Sequence, residues 1–78
     1  MADLKEKEIN LKYNGKVIQV RIQNNYLQTL KSIKLALKLT DDEINKLTIS
    51  FIDEDGDENM LDEENFEQAF NFDNWIAN

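Results

Sequence analysis

Between Glu8 and Ile22 the chain reads EINLKYNGKVIQVRI, two runs of alternating apolar and polar residues separated by Asn14-Gly15. A period of two marks a strand with one buried side, and Asn-Gly supplies the positive φ that a two-residue hairpin turn demands. Such a turn fixes the register. Tyr13 faces Lys16, Leu11 faces Ile18 and Ile9 faces Val20, so both strands put their apolar residues on one side. A two-stranded ribbon with one greasy face is not stable alone, and the rest of the chain must cover that face and extend the sheet.

The cover follows directly. In NNYLQTLKSIKLALKL, Tyr26, Leu30, Ile33 and Leu37, with Leu27 beside them, recur at helical spacing behind the candidate caps Asn24 and Asn25. Lys31, Lys34 and Lys38 fall on the other side, where they form a solvated face near the helix C-terminus. Thr40 to Glu43, TDDE, has the spacing of a capping box for a short helical turn. Leu47, Ile49 and Phe51 then alternate with Thr48, Ser50 and Ile52, which predicts a third strand running into FIDEDGDENMLD, where Gly56 permits a turn. A short strand near Asn59 to Leu61 follows. After it come a helix from about Asp62 to Phe70, with Phe66, Ala69 and Phe70 inward, and a last short strand in FDNWIAN carrying Phe72 and Trp75. The class is α+β. Strand, strand, helix, strand, short strand, helix, strand is the order of a ubiquitin-like β-grasp, a mixed sheet packed on one long helix with a second short helix.

With 78 residues the chain is expected to form one domain, residues 1–78, with a modest core. It has no cysteine and no histidine, so it offers neither a disulfide nor a thiolate or imidazole zinc site. No cofactor is expected. The segment MADLKEKEIN alternates charges without the apolar stretch of a signal peptide, and no run approaches the roughly 18 apolar residues of a membrane span. A soluble, cytoplasmic protein that does not associate with membranes is therefore expected. The net charge is −7, unevenly spread: residues 1–46 hold all nine Lys and Arg against six acids, whereas 47–78 hold ten acids and no base. One end is weakly cationic and the other strongly anionic, a polarity suited to oriented association. The acidic end excludes nucleic acid as its partner, because phosphates need a Lys/Arg surface.

The acids between Asp53 and Asp62 admit four uses. An EF-hand calcium loop needs Gly at its sixth position and Glu at its twelfth. Placing Gly56 sixth puts Phe51 first and Asp62 twelfth, and starting at Asp53 puts Glu58 where the glycine belongs; both frames fail, so no metal site is expected beyond weak cation binding. Paired-carboxylate catalysis needs a cleft and one raised pKa, and acids on an exposed turn offer neither, so no enzyme is expected. Asp62, Glu63 and Glu64 complement a helix N-terminus. That does not account for Asp53, Glu54, Asp55, Asp57 and Glu58, which repel one another around one glycine. A docking surface for Lys and Arg of another protein would turn this repulsion into charge-assisted hydrogen bonds.

FIDEDGDENMLDEENFEQAF resembles the OPCA motif of the Phox and Bem one (PB-one) domains, with Phe51 as its aromatic, DEDGD as its acidic turn and Ala69 as its small residue. The hairpin and the long helix stand where that ubiquitin-like family has them. The resemblance implies a scaffold or signalling module that pairs front to back with another such domain, acidic motif against basic strand face. It assigns Asp53, Asp55 and Asp57 as the principal lysine acceptors, Glu54 as a neighbour, and Glu63 and Glu64 as a secondary patch, with Glu58 and Asp62 as subsidiary acids. Members with the basic face carry a Lys about five residues before the hairpin Gly and a base about four after it. Here those positions are Asn10 and Gln19, opposite each other on the outer face. The implied domain is acidic-only, a monomer when alone. Lys12 and Arg21, one step away, and Lys16 are the cations from which a basic face would otherwise be built. The alternative is a ubiquitin-like domain that binds through a hydrophobic patch on its sheet.

Overall fold

A computed structural model describes residues 5–78; Met1 to Leu4, at the start of the charge-alternating N-terminal segment, lie outside the described residues. The elements are β1 (Glu6–Tyr13), β2 (Lys16–Gln23), α1 (Tyr26–Leu37), α2 (Asp41–Lys46), β3 (Ile49–Ile52), β4 (Glu58–Met60), α3 (Phe66–Ala69) and β5 (Asn74–Ala77). The five strands form one sheet in the order β2-β1-β5-β3-β4. β1 and β5 are parallel and all other neighbours antiparallel. This is an α+β domain with a mixed five-stranded sheet and a β-grasp-like arrangement.

The hairpin has the register that its turn dictates, with Tyr13 opposite Lys16, Leu11 opposite Ile18, Ile9 opposite Val20 and Asn10 opposite Gln19. Asn14 and Gly15 have φ of 51° and 78°, the left-handed pair of a type I′ turn. Ile9, Leu11, Val20 and Ile22 are buried in one core with Ile33 of α1 and with Ile49, Phe51, Trp75 and Ala77 of β3 and β5.

The first two helices begin as their caps dictate. The Asn25 side chain accepts from the Gln28 backbone N–H at 3.0 Å, and Thr40 and Glu43 form the reciprocal capping box. The inner stripe of α1 differs from the expected one at one position. Leu27 is 66% exposed, and fully buried Thr29 lies inward instead, its hydroxyl donating to the Gln23 carbonyl at 2.9 Å. A buried hydroxyl so bonded lets a polar residue occupy a place that spacing alone assigns to an apolar one.

The second half departs from the expected boundaries in three ways. Leu47 caps α2 and precedes β3, and β4 ends at Met60. The helix expected over residues 62–70 shrinks to Phe66–Ala69, because the Asn65 side chain folds back to accept from the Asp62 N–H and donate to the Met60 carbonyl, both at 2.8 Å. The last strand starts at Asn74, leaving Phe72 ahead of it, and is central, pairing with β1 and β3. Phe66 anchors α3 edge-on to Tyr26 at 5.9 Å and to Trp75 at 6.5 Å between centroids. No helix among the described residues is long and apolar enough to cross a membrane.

Candidate functional site: the acidic turn between β3 and β4

The register that pairs Phe51 with Asn59 and Ile52 with Glu58 leaves residues 53–57 to reverse the chain. The Gly56 N–H donates to the Asp53 carbonyl and the Asp53 N–H to the Asp57 carbonyl, both at 3.0 Å. Gly56 has φ of 83°, the left-handed conformation in which a side chain is strained. The Asp53 side chain organises the interior of this turn. Its Oδ1 accepts from the backbone N–H groups of Asp55 and Asp57 at 3.0 and 2.9 Å, and its Oδ2 from the Asn59 side-chain amide at 2.8 Å. The same amide reaches the Asp57 carbonyl at 3.2 Å. These donors, Asn59 first and the Asp57 N–H next, hold the Asp53 carboxyl below its ordinary pKa.

The consequence is a division of labour. Asp53 is half-buried and faces inward to its own turn, whereas Glu54, Asp55, Asp57 and Glu58 are exposed. None of these five forms an ion pair among the described residues. One carboxylate oxygen from each of Asp53, Asp55 and Asp57 lies within 4.8 Å of the other two. Of these three carboxylates, the Asp53 group is already committed to N–H donors of the protein through both of its oxygens.

The remaining acids, Asp62, Glu63 and Glu64, are exposed on the approach to α3. The Asp62 carboxylate accepts from the Asn65 N–H at 2.8 Å and so serves the turn before α3. Asp62, Glu64 and Glu67 border one cleft with Gln68 and Asn71, and Glu63 and Glu67 border another with Asn24, Asn25 and Tyr26.

The cations named from the sequence do not all share one face. Arg21 is held by Glu6 at 3.2 Å and Glu8 at 3.7 Å. Lys12 stands on the outer face between Val17 and Ile76, while Lys16 pairs with Tyr13 and so belongs to the opposite face of the hairpin. Asn10 and Gln19 form the expected neutral pair, joined by Asn74, whose side-chain oxygen accepts from Asn10 at 3.3 Å.

Two structuring residues were not singled out from the sequence. Asn59 locks Asp53, and its signal was an amide placed two residues past the last turn acid. Lys7, away from that turn, ties β1 to the approach of β5, 2.6 Å from Asp73 and 2.8 Å from the Phe70 carbonyl; its place between Glu6 and Glu8 gave no sign of this. No protein-family model matches the chain, and no curated protein is detectably similar to it.

Proposed function

We propose that this domain is a protein–protein interaction module of the acidic-only kind, whose β3–β4 turn docks on a Lys/Arg face of a partner. On the OPCA resemblance that partner is another PB-one domain, and the setting is a cytoplasmic scaffold or signalling assembly. One observation carries the reading: Asp55 and Asp57 are exposed and unpaired among the described residues on a turn whose shape Asp53 and Asn59 fix from within. Fixing the turn beforehand lowers the entropy lost on binding, and desolvation at an interface strengthens each charge-assisted bond. An exposed ion pair is worth at most about 1 kcal/mol, so the acids have to act together. Acid catalysis wants a raised carboxyl, whereas the Asp53 carboxyl at the centre of this turn is held below its ordinary value by the Asn59 amide and the Asp57 N–H.

Calorimetry against a PB-one domain that carries the basic strand face tests the proposal. Asp55→Ala with Asp57→Ala should abolish binding while the fold survives; unchanged affinity rejects it.

A second reading has its own observation. Val17, Lys12, Ile76, Ser50 and Met60 form one row across the outer face of all five strands, with Val17 65% and Met60 66% exposed. On the ubiquitin-like alternative this row would supply the apolar contact, with Val17 and Met60 at opposite edges of the sheet and Lys12 and Ser50 between them. Binding through it would resist salt, whereas binding through the turn would not.

A further inference from the structure

Two of the four large apolar side chains left exposed among the described residues, Leu27 and Leu35, share one helix, whereas Val17 and Met60 lie on the two edge strands. Leu27 and Leu35, 66% and 76% exposed, lie on α1 with Leu30 between them, and with Ile44 of α2 they line a groove of about 570 Å³ between the two helices. Leu27 and Leu35 are about 12 Å apart along the helix axis, a little over two turns. A second helix places apolar side chains at that separation two turns apart, at i and i+7 or i+8 of its stripe.

Charge selects the occupant. Lys31, between the two leucines in sequence, is exposed and forms no ion pair among the described residues, and Lys34 is held by Asp41. No acid occurs in α1 itself. Two copies packed α1 to α1 would oppose lysine to lysine, so a second copy is disfavoured. We infer that the α1–α2 groove is a docking surface for an amphipathic helix of another protein that carries acidic residues beside its apolar stripe. The inference is independent of the acidic turn. It uses a different element, and its ligand has the opposite charge.

The test uses two synthetic helical peptides of about 14 residues, roughly 21 Å long, with the same leucines at helical spacing and either Glu or Lys at the flanking positions. The Glu peptide should shift the amide resonances of Leu27, Lys31, Leu35 and Ile44 and bind at least about tenfold tighter than the Lys peptide. Leu27→Ser with Leu35→Ser, both exposed and so compatible with folding, should weaken that binding at least about tenfold, and Lys31→Glu should reverse the peptide preference. Asp55→Ala with Asp57→Ala should leave it unchanged. Equal binding of both peptides, no binding at millimolar concentration, or shifts confined to the sheet or the acidic turn would each overturn the inference. So would a dimer in sedimentation that the leucine double variant dissociates, since the groove would then belong to a second copy.

Discussion

Asp53 differs from every acid around it in having its charge already answered. Two N–H donors from its own turn and the Asn59 amide of β4 converge on the carboxylate, and these bonds fix Asp55 and Asp57 in place. Asn59→Ala removes the strongest of these donors, and the Asp53 carboxyl should then titrate at a higher pH, measurable by NMR of the side-chain carbonyl carbon. The turn should also become more mobile. A folded-state pKa below the ordinary value means stability that is present above that value and lost as pH falls through the lowered one. Asp41 and Asp53, with an ordinary value of 3.8, and Glu43, with 4.5, are all of this kind. Their contribution should be full at neutral pH and fade below about pH 4.5, and the destabilisation caused by Asn59→Ala should shrink over that range. Thermal melts at pH 7 and pH 3 compare the two. At this scale the sequence was legible for the acidic character of the turn and silent on its wiring, because Asn59 reaches Asp53 only once the β3–β4 register is set. Leu27 was misplaced for a related reason: helical spacing narrows a face to a sector, and of the two residues flanking that sector Thr29 lies inward, its hydroxyl donating to a Gln23 carbonyl that also accepts from the Asn25 N–H.

At the scale of elements, β5 holds the sheet together, pairing with β1 on one side and β3 on the other. Trp75 is 1% exposed, and its indole N–H donates to the Phe72 carbonyl at 3.0 Å. Trp75→Ala should remove about 3–5 kcal/mol, most of what a domain of this size has, and leave the chain largely unfolded by circular dichroism at 37 °C. Gly56→Ala is milder. Nothing stands within 4 Å of the added methyl, so the change introduces backbone strain alone, about 1 kcal/mol, or a fall of roughly 4–8 °C in melting midpoint. The hairpin was readable to the residue because its turn and its alternation specify the same pairing. The β5 strand was readable only as a weak candidate, since FDNWIAN is short and nothing local says that a terminal segment will enter the centre of a sheet. The helix expected from Asp62 lost its first turn because Asn65 bonds backward to Asp62 and Met60, a competition between side chain and backbone that propensity does not resolve.

At the scale of the molecule, the turn beyond β3 carries the acids Glu54, Asp55, Asp57 and Glu58, all exposed, whereas Lys12 and Arg21 share the outer face of the hairpin, Arg21 paired by Glu6 and Glu8, and Lys16 lies on the opposite side. Calcium at sensor concentrations should neither bind tightly nor alter the spectrum, because neither frame of the loop satisfies an EF-hand and both Asp53 carboxylate oxygens already accept from N–H groups of the protein; a micromolar dissociation constant in calorimetry would contradict this. A domain with one docking charge is a chain end, while one with both an acidic turn and a basic strand face adds head to tail without closing. The most direct measurement makes this chain its own partner. Asn10→Lys with Gln19→Arg places two cations opposite each other on β1 and β2, where the unmodified domain has neutral amides. Sedimentation velocity should find the unmodified domain monomeric and the double variant forming concentration-dependent oligomers that dissociate as salt rises, and adding Asp55→Ala and Asp57→Ala should return it to monomer. A double variant that stays monomeric at low salt, or an unmodified domain that already forms salt-sensitive oligomers, would contradict the account.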